Sequence, residues 1–240
     1  MTIAYEGSAF AGWQSQVSGN TGQDALQRAF AALCEKRVIV HGAGRTDAGV
    51  HAIGQVAHAD IPDGRFTTTE WMRALNAHLP AEIRVMKCTV ARQDFHARYS
   101  AREKIYRYTI WNNSVFLPLH SNRAWHVPWK LDFPILKAAC EIFVGRHDFA
   151  AFAAGKREEK EKTIRRIYSI KIVRRGSKIE VTFEGEGFLY KMVRILVAAA
   201  VRCAAGKMNV TELARFLENG SPRVSHVAPA HGLCLMHVVY

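Results

Sequence analysis

The chain has 240 residues, 49% of them hydrophobic, and carries 33 Lys plus Arg against 21 Asp plus Glu, a formal charge of +12. That apolar content, with no low-complexity stretch, excludes a disordered tail and is enough for one large domain or two small ones. The positive charge favours a polyanionic partner, nucleic acid or an anionic membrane surface, while the longest apolar run, 195–201, is too short to span a bilayer.

The five cysteines (Cys34, Cys88, Cys140, Cys203, Cys234) include no C-x-x-C pair. Neither a zinc site nor a disulfide framework is implied. Four of them sit in apolar surroundings and are expected in the core. Scattered thiols, and an N-terminus without the charged-then-apolar layout of a signal peptide, point to a reducing, cytoplasmic setting.

In chain order, residues 2–5 predict a strand, followed by a loop over 6–14 that presents Trp13 and Gln14 as an exposed aromatic and amide. Thr21 and Asp24 have capping-box spacing, and Leu26, Phe30 and Leu33 recur at helical period. Strands are predicted over 37–41 and 55–61, on either side of a Gly-rich loop. Thr67 and Glu70 repeat the capping-box spacing ahead of a helix through Trp71, Leu75 and Leu79 that stops at Pro80. Residues 83–90 predict a strand.

The second half shows the same order. Strands are predicted over 104–111, 163–174 and 178–184, helices around 133–143 and over 188–205, a short extra helix at 211–220, and a closing strand at 232–240. Together these predict an α+β fold of two ferredoxin-like (split βαβ) halves, 1–100 and 101–240. The sheet would be mainly antiparallel and could run continuously through both halves, with a central cleft.

Several residues could carry chemistry. Asp47 lies in His41-Gly42-Ala43-Gly44-Arg45-Thr46-Asp47-Ala48-Gly49-Val50-His51, whose glycines let backbone and substrate approach closely. It reads equally as a placed carboxylate beside Arg45, fit to act as nucleophile or base, or as the cap of a tight turn. Arg194 stands in an apolar run. It is either buried and in need of an anionic partner, or part of a solvated stripe with Lys191 and Arg202. Tyr106 and Tyr108 share one face of a strand, where they serve as core or as a stacking surface for a base. Phe95-His96-Ala97-Arg98-Tyr99 and the basic stretch from Lys156 are linker and solvated loop, or RNA-tracking segments. Eleven histidines match no metal-ligand spacing, and no P-loop is present.

Taken in order, Gly12-Trp13-Gln14, Gly44-Arg45-Thr46-Asp47-Ala48-Gly49-Val50-His51, Phe95-His96-Ala97-Arg98, Tyr106-Arg107-Tyr108, Asp148-Phe149, Gly187-Phe188, Met192-Val193-Arg194, Ala228-Pro229 and Gly232-Leu233 resemble the TruA family of tRNA pseudouridine synthases over essentially the full chain. The resemblance implies an isomerase without cofactor or metal. Such an enzyme converts uridine to pseudouridine at positions 38 to 40 of the tRNA anticodon arm, as a homodimer with no membrane association. By the same resemblance Asp47 is the catalytic aspartate and Arg194 its basic partner. Arg45 helps to flip the base, Tyr106 stacks on the uracil, and Leu233 walls the pocket. Phe95, His96, Arg98 and Tyr99, with Lys156, Arg157 and Lys160, would contact RNA. Whether Asp47 attacks the base, attacks C1′ or takes a sugar proton stays open. The chain departs from the family at 195–200, which lacks the usual Asn and Gly, and at Glu6-Gly7-Ser8, where Asp-Gly-Thr is usual.

Overall fold

The computed structural model describes residues 1–34, 36–61, 64–155, 163–220 and 223–240. Along the chain run β1 (Thr2–Tyr5), α1 (Gly22–Cys34), β2 (His41–Gly42), β3 (His51–His58), α2 (Thr68–His78), β4 (Ile83–Lys87), β5 (Glu103–Asn112), β6 (Trp125–Val127), α3 (Phe133–Glu141), β7 (Gly145–Asp148), β8 (Ile164–Arg175), β9 (Lys178–Gly185), α4 (Met192–Ala204), α5 (Val210–Asn219) and β10 (Leu233–Val239). The fold is α+β, as predicted. The chain divides into two compact units, Met1–Arg102 with Cys234–Tyr240, and Glu103–Leu233.

In the first unit β1 lies between β3 and β4, antiparallel to both. β2 pairs antiparallel with β3, and β10 joins β3 in parallel. This is the split βαβ order: the β1–α1–β2 crossover passes over β3, and the β3–α2–β4 crossover passes over β1. Helix α2 starts where the spacing predicts: the Thr67 side chain accepts from the Glu70 backbone and Glu70 answers to the Thr67 backbone. Thr21 accepts from the Asp24 N–H at 3.1 Å in the same way ahead of α1. Phe30 of α1 and Trp71 of α2 meet with ring centroids 5.7 Å apart.

Three expectations in this unit are corrected. Trp13 is not exposed; it is 2% accessible, stacked on Tyr5 at 5.8 Å. Gly42 and Gly22 supply the space, since a Cβ on Gly42 would overlap the Trp13 indole. The strand predicted over 37–41 shrinks to His41–Gly42, because glutamine side chains of α1 take over its backbone partners. Gln27 accepts from the Val40 N–H at 3.4 Å and Gln23 donates to the Val40 carbonyl at 2.8 Å. The next strand begins at His51, not at residue 55, because β1 and β10 both pair with its first residues.

In the second unit β9 lies antiparallel between β5 and β8, and β7 extends the β8 edge. The register Tyr106↔Phe183, Tyr108↔Val181, Ile110↔Ile179 sends one alternating set of side chains into the core. Eleven of the thirteen residues of α4 are buried, as a helix apolar on all sides must be. It begins at Met192, four residues later than predicted, because Lys191 adopts a left-handed φ of 59°. The periodicity did not reveal β6 and β7, of three and four residues, because a strand that short carries too little alternation. Only two cysteines are buried, Cys140 and Cys203, not four. Burial pushes their thiols up to about 12 and about 11.

Candidate active site

In the first unit backbone hydrogen bonds hold the Asp47 loop. The Trp13 N–H donates to the Thr46 carbonyl at 3.0 Å, the Gly49 N–H to the Gly7 carbonyl at 3.2 Å, and the Val50 N–H to the Asp47 carbonyl at 3.1 Å. From below, the Thr46 and Tyr5 hydroxyls meet at 2.7 Å, and the Gln55 amide donates to the Gly44 carbonyl at 2.9 Å. Two glycines are required by geometry. Gly49 holds a φ of 81°, and Gly12 has a φ of 99°, where a Cβ would sit 2.7 Å from the Thr46 carbonyl. The result is a rigid loop with Thr46 buried, Asp47 half-buried and Arg45 exposed. Arg45 Nε donates to Gln14 Oε1 at 3.3 Å, so the exposed amide predicted at Gln14 faces the basic residue of the loop. At the Glu6 departure, the Glu6 carboxylate accepts from Ser8 at 2.6 Å. It also stands 3.4 Å from His51 Nδ1, which itself accepts from the Gly7 N–H at 3.0 Å.

In the second unit Tyr108, Arg194 and Leu233 come together around one turn, and Tyr106 stands two residues before Tyr108 on β5. Tyr106 is 7% accessible and meets Phe188 edge-on, with centroids 5.3 Å apart. Tyr108, on the same face of β5, is fully buried, and burial raises its phenol well above the usual range, opposed by the Arg194 cation. Arg194 is half-buried, between the two expectations for it. Its Nε donates to the Ala228 carbonyl at 2.8 Å. The other two cations of the stripe alternative, Lys191 and Arg202, are half-buried as well. Lys191 Nζ stands over the Tyr190 ring at 5.0 Å, and Arg202 Nη1 lies 3.0 Å from His226 Nε2. Leu233 is buried and follows Gly232, whose lack of a Cβ lets the Tyr108 ring approach.

The segment predicted to contact RNA lies in the first unit. Arg98 and Tyr99 are exposed, with the Arg98 guanidinium over the Tyr99 ring at 5.7 Å. Phe95 and His96 are half-buried. His96 Nδ1 accepts from the Arg98 and Tyr99 N–H groups at 3.1 and 3.3 Å, and His58 Nδ1 from the Ala97 N–H at 3.1 Å. His41, His58 and His96 form a cluster with centroids 4.7 to 5.6 Å apart. Desolvation lowers the His58 pKa, with His96 and His41 adding to the effect. Lys156, Arg157 and Lys160 lie outside the described residues. Among the described residues no three His, Cys, Asp or Glu side chains stand together as a metal site, and no helix is long and apolar enough to cross a membrane.

A family model described as tRNA pseudouridine synthase matches residues 1–100 and 139–240. The chain belongs to the tRNA pseudouridine synthase family. Members of this family are isomerases that convert uridine to pseudouridine. Proteins named tRNA pseudouridine synthase A from Akkermansia muciniphila, Solidesulfovibrio magneticus and Citrifermentans bemidjiense are 44%, 43% and 40% identical to it. Each alignment spans the whole of this chain and 93%, 90% and 96% of the respective relative. Within this tRNA pseudouridine synthase family member, Arg45, Asp47, Arg194 and Leu233 fall inside the matched segments, and Tyr106 falls in the stretch between them.

The sequence reading missed the groups that hold these residues: Tyr5, Thr46 and Gln55 under Asp47, and Tyr108 with Pro229 beside Arg194. Tyr108 left a signal by sharing a strand face with Tyr106, and Thr46 and Pro229 stood within the family-like blocks.

Proposed function

We propose that this chain isomerises uridine to pseudouridine at positions 38 to 40 of the tRNA anticodon arm, with Asp47 as the catalytic carboxylate. The observation that carries the reading is the Gly-Arg-Thr-Asp-Ala-Gly-Val-His block, held rigid by backbone hydrogen bonds, in a chain that matches the family over both of its segments.

The target base leaves its stack before its glycosidic bond can be reached. The N1–C1′ bond then breaks, the uracil turns, and C5 bonds to C1′ in its place. The C5 proton is released and N1 takes one up, so the product is an isomer and the net reaction needs no redox partner. In this reading exposed Arg45 helps to displace the base, and Tyr106 and Leu233 supply the aromatic and apolar surface that retains the detached uracil. In the same reading Arg194 is the basic partner of Asp47. The net charge of +12 suits a phosphate backbone, and Phe95, His96, Arg98 and Tyr99 combine cation with stacking surface for it. Assembly as a homodimer and a cytoplasmic location belong to the same reading; sedimentation of the purified protein tests the first.

The deciding experiment maps pseudouridine in unmodified tRNA incubated with the protein. Product at positions 38 to 40 is expected, and product confined to other uridines would move the assignment to another substrate site. Asp47→Asn is expected to fold and bind tRNA but to form no pseudouridine.

A further inference from the structure

Tyr108 has no part in the chemistry just described, yet each group of the second unit that does is tied to it. Its ring is fully buried, with Trp125 edge-on at 6.3 Å on one side. Gly232 presses on the other; a Cβ there would lie 2.5 Å from Tyr108 Cζ and 2.8 Å from its oxygen. Its hydroxyl donates to the Pro229 carbonyl at 2.8 Å. The preceding residue, Ala228, is bound twice to Arg194. Its carbonyl accepts from Arg194 Nε at 2.8 Å, and its N–H donates to the Arg194 carbonyl at 3.2 Å. The Nε bond restrains the guanidinium, whose planar fork is rigid. Leu233 follows Gly232 directly. Tyr106 lies two residues from Tyr108 on the same strand, in an unbroken register with β9.

We propose that Tyr108 is a positioning residue: its hydroxyl and ring lock the 228–233 turn, and through it set the Arg194 guanidinium and Leu233 relative to Tyr106. This rests on the reading of Tyr106, Arg194 and Leu233 as site residues. Two adjacent carbonyls, Ala228 and Pro229, are held by the two side chains, so a shift of one reaches the other through a single peptide unit. Pro229 restricts that unit further, since its ring fixes φ, here −53°. Burial keeps the phenol protonated, which makes the hydroxyl a constant donor across the working pH range.

Tyr108→Phe keeps the ring, the Gly232 contact and the Trp125 contact, and removes only the donor. With pseudouridine formation as the readout, kcat is expected to fall about tenfold, the worth of one buried hydrogen bond, with KM for tRNA within about twofold. Arg194→Lys keeps a cation but loses the Nε link, and should lower kcat at least as much. A role through Arg194 predicts that adding Tyr108→Phe to Arg194→Lys costs less than about twofold more. Wild-type kcat in Tyr108→Phe, a full tenfold further loss in the Arg194→Lys background, or a rise in KM matching the loss of kcat would each overturn the proposal. Full activity in Asp47→Asn, or no product from the unaltered protein, would instead overturn the underlying reading and this inference with it.

Discussion

Replacing Thr46 by valine removes one hydroxyl from directly beneath Asp47 and leaves the volume of the side chain almost unchanged. Thr46 and Tyr5 are both buried and their oxygens meet at 2.7 Å. In the variant the Tyr5 hydroxyl keeps only the Gln55 amide, at 3.5 Å. A buried polar group stripped of its partner costs about 1–3 kcal/mol, and the surviving Gln55 contact puts this case at about 1–2 kcal/mol. For a chain of this size that lowers the thermal midpoint by about 2–8 °C. Adding Tyr5→Phe removes the orphaned hydroxyl, so the double variant should recover most of the lost stability. Activity should behave differently. The tie under the loop is absent from the single and the double variant alike, so kcat for pseudouridine formation should fall on the order of tenfold in both, as misplacing a reacting group does. Thermal or urea unfolding of the four proteins of the cycle, paired with single-turnover assays on tRNA, separates the two effects. An unchanged midpoint in Thr46→Val, or a double variant that regains kcat along with stability, would refute the reasoning.

Other consequences follow from the same geometry. Gly12→Ala should destabilise by about 1–3 kcal/mol, since φ is 99° and the new Cβ meets the Thr46 carbonyl at 2.7 Å; urea unfolding checks it, and a neutral result would contradict the close approach. The folded pKa of His58 lies below its ordinary 6.5, with desolvation the main cause, His96, His41 and the N-terminal amine adding to it and Asp60 opposing it. Between the two pKa values the unfolded chain binds a proton that the folded chain does not, so stability rises with pH across that window and is lost as pH falls below about 6.5. His58→Gln should flatten this slope, measured as thermal midpoints from pH 5 to pH 7.5. Arg98→Ala should lower the salt dependence of tRNA affinity by about one counterion, whereas Tyr99→Ala should weaken binding by about 1–3 kcal/mol with little change in slope. Filter binding across a salt series tells the two apart.

Much of this protein was legible from local pattern. The caps at Thr21 and Thr67, the alternation of 178–184 and the apolar run of α4 rest on interactions within a few residues, so composition and spacing carry them. The same holds for the family, because the blocks around Asp47 and Arg194 are contiguous in sequence. Trp13, by contrast, read as exposed because its neighbours are loop-like. Its burial depends on Gly22 and Gly42, which meet it only when α1 and β2 are in place. The strand expected over 37–41 failed for a related reason: glutamines one helix away satisfy the backbone that a strand would have paired.

By itself the sequence determined the helices and the longer strands, the α+β class, the basic character and the residues able to do chemistry, since each of these follows from side-chain type and local period. Only the tertiary structure decided what holds those residues. Tyr5 is 41 positions from Thr46, Tyr108 is 121 from Pro229, and Arg194 is 34 from Ala228. No local periodicity links partners so far apart; packing brings them together, and buried polar groups must then find one another or remain unpaired.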